Sequence, residues 1–355
     1  MITHAVRSIF ACALALILAT SASLTPAHAE KSFKIAWSIY TGYMPWPYLE
    51  HAGILAKWAK KYGIKIELVQ INDYVESINQ YTAGQYDGVG GTTMDALTIP
   101  AAGGVDTTVL ILGDYSNGND GIVLKGKGKS MADLKGKTIN LVQYSVSHYM
   151  LARAFEKYGV KMEDVKLQNI ADADFIAAFQ TKDVDAVVAW NPAFIEIEKM
   201  PDISVVYKSS EMPGELLDIL MVSSKTLKES PELGKALTGA WFETLDIVKS
   251  KDEKARKFMA ELSGATVESF NAQVETTAFY YDPGAAAAFM RSPEMVTNMD
   301  LVRTFSFDNK LMGDSAKSKD AIGIELPGGK VLGDAANIKL RLDDTYMQMA
   351  ADKKL

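Results

Sequence analysis

Segments with the pattern of strands alternate with segments with the pattern of helices, and this alternation constrains the fold more than any other feature of the sequence. Residues 31–40 have the pattern of a strand that runs into a loop, and residues 64–71 alternate apolar and polar side chains. Between them a helical segment begins near Pro47, since proline is tolerated at the first helical position, and ends near Tyr62. The chain is therefore predicted to be an α/β protein.

The alternation extends over two successive units, and the rest of the chain is mostly helical. The two units are residues 31–120 and 122–220. The later segments are predicted helices at 230–249, 251–262, 266–274, 283–291 and 337–350, with an irregular loop at 315–336. This layout favours two lobes with a cleft between them and chain crossings near 119–122 and 220–223. The predicted lobes are 30–120 with 222–355, and 121–221.

The N-terminal residues have the pattern of an export signal. Arg7 is followed by an apolar run at 9–18, and Ala27-His28-Ala29 fits a cleavage site. We therefore expect a signal peptide at 1–29 and an exported mature chain. The single cysteine, Cys12, lies within that segment, so the mature chain is expected to have no disulfide and no thiolate metal site.

A long stretch of the chain lacks basic residues. No Lys, Arg or His occurs among the 59 residues between Lys65 and Lys125, where about six Lys and Arg are expected from 37 in 355. The same stretch contains eight acids: Glu67, Asp73, Glu76, Asp87, Asp95, Asp106, Asp114 and Asp120. Its loops follow predicted strands, where open α/β sheets bind their ligands. The pattern indicates a small ligand that is cationic or rich in hydrogen-bond donors.

Six loops at predicted strand ends combine acids with aromatic rings and contain no Lys or Arg. The candidate ligand contacts are Tyr40, Trp46, Asp73, Glu76, Asp95, Asp114, Asn117, Asp120, Tyr144, Ser145 and Trp190. Carboxylates pair with the edges of a guanidinium ion, and aromatic rings suit its faces. Urea has a carbonyl acceptor and needs at least one donor, whereas a sulfonate favours Arg or helix N-termini. The inventory ranks guanidinium first and urea second.

Each candidate also has a structural alternative. Asp73 and Glu76 have the spacing of a capping box, and Asp95 follows two threonines at a strand-to-helix turn, so all three can be helix caps. The loop at 113–121 can be a surface loop. Tyr40, Trp46 and Trp190 can be core residues, and Tyr144-Ser145 opens a predicted helix.

Five sequence motifs carry a resemblance to a known family. They are W-S-x-Y-x-G-Y-x-P-W from Trp37, N-D-Y-V-E-S-I-N-Q-Y from Asn72, T-T-M-D-A-L from Thr92, D-Y-S-N-G-N-D-G from Asp114 and V-V-A-W-N-P from Val187. Together they resemble periplasmic solute-binding proteins of ABC importers, of the nitrate/sulfonate/taurine type. The subgroup associated with urea carboxylase, or guanidine carboxylase, is the most similar. The resemblance implies a type II binding protein with two lobes, two chain crossings and hinge closure on a small-molecule ligand, working with an inner-membrane permease.

Other functional classes have less support in the sequence. The mature chain has only His51 and His148 as histidines and lacks H-E-x-x-H and G-x-S-x-G, so no enzyme, cofactor or metal site is predicted. A mature net charge of about −8, from −7 for the whole chain less the charge of Arg7, disfavours nucleic acid and anionic membranes. A monomer is expected. The open alternatives are a sulfonate, taurine or pyrimidine binder, a carboxylate-dependent secreted hydrolase, and a periplasmic sensor partner.

Overall fold

Two β-sheets organise the chain in a computed structural model that describes residues 30–355. The fold described below is that of the compact unit Ser32–Leu355. The strands are β1 (Lys31–Trp37), β2 (Ile64–Gln70), β3 (Gly88–Thr92), β4 (Thr107–Ser116), β5 (Asp120–Lys125), β6 (Thr138–Leu141), β7 (Lys166–Asn169), β8 (Ala186–Trp190), β9 (Ile203–Lys208), β10 (Leu217–Ser223), β11 (Thr277–Phe279), β12 (Gly323–Glu325), β13 (Val331–Leu332) and β14 (Ile338–Leu342).

The helices pack around these sheets. They are α1 (Pro45–His51), α2 (Ile54–Lys61), α3 (Tyr74–Thr82), α4 (Thr93–Ala96), α5 (Val146–Tyr158), α6 (Phe175–Gln180), α7 (Ala193–Glu198), α8 (Ser224–Glu229), α9 (Pro231–Lys249), α10 (Glu253–Leu262), α11 (Val267–Glu275), α12 (Pro283–Met290), α13 (Pro293–Asp308) and α14 (Thr345–Ala351). Within residues 30–355, no helix combines the length and the apolar character needed to span a bilayer.

Within the described residues the larger sheet has nine strands, in the order β13-β12-β14-β4-β10-β3-β1-β2, with β11 paired to β4. The smaller sheet has the order β7-β6-β8-β5-β9. The central pair of the larger sheet, β4 and β10, is buried along almost its whole length. Such strands are continuous apolar runs because both faces are covered. The α/β fold class predicted from the sequence is confirmed, and the structure shows that its strands form two sheets.

The chain passes between the sheets twice, at 117–119 and at 209–216. The two connections are tied together, since the Gly118 amide donates to Ser209 Oγ at 2.8 Å and the hydroxyls of Ser116 and Ser209 lie 2.7 Å apart. The division into lobes stays a proposal. Sheet membership favours a second boundary before Leu217, because β10 belongs to the larger sheet. The predicted signal peptide, 1–29, lies outside the described residues.

Several predicted elements differ from the observed ones. The single helix expected from Pro47 to about Lys61 is two helices, α1 and α2, because Gly53 adopts a left-handed φ of 72° between them. The helix expected at 337–350 contains β14, whose Ile338, Leu340 and Leu342 alternate with basic residues, and is helical only from Thr345 onward. Parallel pairing of β14 with β4 decides its conformation. The long helix α13 and the short strand β11 were not predicted.

Candidate ligand-binding site

A small cavity lies between loops that belong to the two sheets. Its lining residues are Ser38, Tyr40, Tyr43, Tyr74, Thr92, Asp120, Val146, Trp190, Leu216 and Asp218. All of them are buried. Its volume is about 20 Å³, roughly the room that one or two water molecules need.

The polar lining comes from strand ends and helix starts. Ser38 follows β1 directly, and Thr92 ends β3 and caps α4 by accepting a hydrogen bond from the Asp95 amide at 3.2 Å. The hydroxyl of Tyr74, the first residue of α3, and that of Thr92 both donate to Asp95 Oδ2, at 2.6 and 2.7 Å. Asp95 is fully buried behind the cavity and therefore positions two lining side chains.

Two carboxyl groups line the cavity directly. Asp218, in β10, accepts a hydrogen bond from the Tyr43 hydroxyl at 2.8 Å. Asp120, the first residue of β5, accepts one from Ser116 Oγ at 2.5 Å and is paired across the sheet with Trp190. The Trp190 ring packs edge-on against the Tyr74 ring, 5.6 Å between centroids. The cavity thus combines acids with aromatic walls.

A fourth acid, Asp114, lies directly behind Asp218. The two residues face each other in the antiparallel pair of β4 and β10, next to a register shift that leaves Gly113 as an extra residue. A bulge of this kind breaks the alternation of the strand and re-aims the side chain that follows it. Asp114 is fully buried.

Burial raises the pKa of each of these carboxyl groups. The pKa of Asp95 is raised to about 6, and those of Asp114 and Asp120 to about 7. The pKa of Asp218 is raised well above its ordinary value by burial and by the nearby charge of Asp114. Within the described residues, no Lys, Arg or His lines the cavity to offset these effects. The site is therefore a buried cluster of acids that hold protons near neutral pH.

The structure brings several of the residues predicted from the sequence together. Tyr40, Asp120 and Trp190 line the cavity, and Asp95 and Asp114 stand behind it. Ser145 is the N-cap of α5, where it accepts a hydrogen bond from the Ser147 amide at 3.2 Å. That cap places the first residue of α5, Val146, in the cavity wall.

Five predicted residues lie away from the cavity, each for a physical reason. Trp46 stacks on Trp241 in the core, 4.6 Å between ring centroids. The backbone amide of Asn117 donates a hydrogen bond to the carbonyl of Thr276, and Asn117 belongs to the first crossing between the sheets. Tyr144 has a left-handed φ of 66° and is 51% exposed, which turns its ring to solvent.

Asp73 and Glu76 are the other two. Asp73 is the N-cap of α3, accepting a hydrogen bond from the Glu76 amide at 2.9 Å, and Glu76 accepts one from Gln80 at 2.8 Å. Both side chains are exposed. The position of Asp73 in the structure therefore agrees with its interpretation as a helix cap.

Sequence reasoning did not select Asp218, Tyr43, Tyr74, Thr92 or Ser38. The candidates predicted from the sequence lie in loops at strand ends, whereas Asp218 lies within the strand LDILMVS. A signal was nevertheless present, since Asp218 is the only charged residue of that apolar strand. A lone carboxyl in a buried strand needs a partner or a function.

Replacing Asp73 with alanine is expected to lower stability by about 1 kcal/mol, the typical value for an N-cap, and to leave ligand affinity unchanged. Thermal unfolding and calorimetric titration of the same variant measure the two effects. Glu76→Gln is the matched control, because it removes a charge from the first turn of α3 without removing the cap. A loss of affinity in either variant would contradict this assignment.

Replacing Gly42 with alanine is expected to cost about 1–3 kcal/mol of stability and to impair binding. A Cβ atom there would lie 2.4 Å from Asp114 Oδ2 and 2.5 Å from Tyr40 Cε1, so one of these groups must move. Gly90→Ala is the control, since its Cβ would meet only the Tyr43 ring at 3.7 Å. Thermal unfolding and ligand titration measure the stability and the affinity of both variants. Equal stability and equal affinity in Gly42→Ala and Gly90→Ala would show that the site does not require a glycine at position 42.

Comparison with known proteins adds evidence that the geometry alone does not contain. The family model described as NMT1/THI5 like matches residues 50–255, more than half of the chain. The taurine-binding periplasmic protein of Escherichia coli (strain K12) is 26% identical over 183 residues, which are 50% of this chain and 56% of that protein. A putative aliphatic sulfonates-binding protein of the same organism is 39% identical over 66 residues, 19% of this chain and 21% of that protein. The match thus spans about half the length, or less, of these curated relatives, which are named as binding proteins and not as enzymes.

Solved structures share the fold. The alkanesulfonate-binding protein SsuA from Xanthomonas axonopodis pv. citri, bound to MOPS, aligns with a TM-score of 0.68 at 17% identity, over 81% of this chain and 96% of that one. The periplasmic nitrate-binding protein NrtA from Synechocystis PCC 6803 aligns with a TM-score of 0.56 at 11% identity, over 92% and 99%. At these identities the likeness establishes the periplasmic binding protein fold alone.

Proposed function

The chain belongs to the NMT1/THI5-like family, and from this premise we propose that it is the periplasmic substrate-binding component of an ABC importer that captures guanidinium. The observation that carries the proposal is the acid cluster. Asp120 and Asp218 line the cavity, Asp95 and Asp114 stand behind it, and no basic residue of the described chain lines it.

The charge of the cluster favours a cationic ligand. A buried carboxylate without a counter-ion is costly, and a bound cation supplies the counter-ion that the protein lacks. An anion placed about 4 Å from one ionised carboxylate would instead be repelled by about 4 kcal/mol at an effective dielectric constant of 20. With two acids lining the cavity, this difference separates cations from sulfonates.

The aromatic walls of the cavity favour a planar cation. Tyr40, Tyr43, Tyr74 and Trp190 offer ring faces and edges, and a cation is attracted to such rings. Guanidinium has four non-hydrogen atoms, so a ceiling of about −1.5 kcal/mol per atom gives roughly −6 kcal/mol, or a Kd of tens of micromolar. The edges of the ion would pair with Asp120 and Asp218.

Taurine is the second candidate, and urea the third. Taurine is favoured by the curated relatives and by α5, whose first residue lines the cavity, because helix N-termini attract anions. The first turn of α3 does not offer a second anion site, because its amides already have partners. Asp73 accepts a hydrogen bond from the Glu76 amide, and Asp172 accepts one from the Tyr74 amide. Urea is favoured by the lining hydroxyl of Ser38, which has no hydrogen-bond partner among the described residues and can donate to its carbonyl.

Thermal unfolding of the mature protein with millimolar guanidinium, methylguanidine, agmatine, urea and taurine tests these assignments at matched ionic strength. A ligand present at 100 times its Kd adds about 2.7 kcal/mol to the stability of the native state, which raises the midpoint by several degrees. A rise with guanidinium and none with taurine would support the proposal. A rise with taurine or urea alone would overturn it in favour of that ligand.

A further inference from the structure

Asp114 does not line the cavity, and its contacts within the fold do not explain why a carboxyl group is buried at this position. It is fully buried, and a hydrogen-bonding interaction with the Tyr40 hydroxyl offsets only part of the cost of that burial. Its carboxyl lies against that of Asp218, the residue opposite in the neighbouring strand. Two carboxyl groups form a hydrogen bond with each other only when one of them carries a proton.

The groups around Asp114 provide no positive charge in place of that proton. On β10 and β5 they are the acids Asp218 and Asp120, and on the segment after β1 they are the phenols Tyr40 and Tyr43. Beyond β11 they are the phenols Tyr280 and Tyr281. Among the described residues, those that act on Asp114 electrostatically are therefore acids or phenols, and none of them is a cation.

We propose that the Asp114–Asp218 pair shares one proton in the unliganded site and that a guanidinium ion binds by displacing it, which makes Asp114 a specificity-determining residue that selects cations over neutral molecules of the same shape. The inference rests on the proposed function. The O–H bond of the acid pair breaks, the proton passes to water or buffer, and an N–H of the ligand donates to the carboxylate that forms. Urea brings no charge, so it leaves the shared proton in place.

The direction of the pH dependence follows from this exchange. The pKa of Asp114 is raised to about 7 and that of its partner Asp218 is raised well above its ordinary value, so the pair binds fewer protons as the pH rises through about 7. Each proton released on binding makes the affinity for guanidinium rise up to tenfold for each pH unit below about 7, and the dependence flattens above it. Urea affinity should not rise over the same range.

Calorimetric titration in two buffers that differ in ionisation enthalpy measures the number of protons released. For guanidinium we expect more than one proton at pH 6, because Asp120, whose pKa is also about 7, ionises along with the pair, and we expect fewer at pH 8. For urea, where it binds, we expect none. In Asp114→Asn the asparagine amide gives Asp218 a permanent hydrogen-bond donor in place of the shared proton. The number of protons that this variant releases on binding guanidinium at pH 6 should therefore fall to half that of the parent or less. Asp172→Asn is the matched control, because burial also raises the pKa of Asp172, to about 6, outside the cavity lining.

The outcomes separate this inference from the proposed function. Guanidinium binding without proton release at pH 6 would overturn the inference and leave the guanidinium proposal standing. An Asp114→Asn variant that releases as many protons as the parent would also overturn it. Absence of guanidinium binding at every pH would overturn both.

Discussion

Replacing Asp218 with asparagine is expected to weaken guanidinium binding by about 10- to 150-fold. A hydrogen bond to a charged group contributes about 1.5–3 kcal/mol, and every 1.4 kcal/mol is a factor of ten in Kd. Asp218 lines the cavity and is the acid that Tyr43 and Asp114 both contact. Asparagine has the same shape and keeps the Tyr43 hydrogen bond, so the change removes a charge and leaves the site folded. Titration calorimetry at pH 8 measures the loss.

Asp73→Asn is the matched control for this variant. It removes the same charge from an exposed position, and asparagine caps helices as well as aspartate does, so α3 is preserved. We expect its affinity to equal that of the parent. Guanidinium affinity that is unchanged in Asp218→Asn would place the ligand elsewhere. Tighter taurine binding in the same variant would identify the site as one for anions, since removal of a negative charge helps only an anion.

The sequence predicted the chemical character of the candidate site better than its geometry. The absence of basic residues between Lys65 and Lys125 indicated an acidic cleft, and Asp95, Asp114 and Asp120 do cluster around the cavity. It could not separate these acids from Asp73, because capping and ligand binding both use a carboxylate at a strand-to-helix turn. That distinction depends on burial, which sequence spacing alone does not determine.

Long-range pairing accounts for what the sequence did not predict. Asp218 reaches the cavity because β10 returns to the larger sheet between β3 and β4, and this places it opposite Asp114. Similarly, β14 is a strand because β4 offers it an edge, although its composition suited a helix. In both cases the partner strand is more than 100 residues away in the sequence, so local sequence patterns do not predict the contact.

The ligand-free protein is expected to lose stability as the pH rises from 5.5 to 8. The pKa values of Asp114 and Asp120 are about 7 in the folded state, against about 3.9 for an unfolded aspartate. Between these values the folded state binds more protons, so the free energy of unfolding decreases as the pH rises. The stabilisation is complete below the unfolded pKa and is lost as the pH passes through the folded one. Two such groups give a decrease of about 2–4 kcal/mol over this range, at 1.36 kcal/mol per unit of pKa.

Thermal unfolding at constant ionic strength measures this decrease, because chemical denaturation with urea or guanidinium would add a candidate ligand. Asp120→Asn should reduce the decrease, since it removes one of the buried carboxyl groups whose pKa is raised. Saturating guanidinium should reduce it further, because the bound cation stabilises the ionised carboxylates that high pH produces. A midpoint that rises from pH 5.5 to 8, or that is equally pH-dependent in Asp120→Asn, would show that these buried acids are ionised in the folded protein. In that case the cluster would require a permanent counter-ion, and the exchange of a proton for the ligand could not occur.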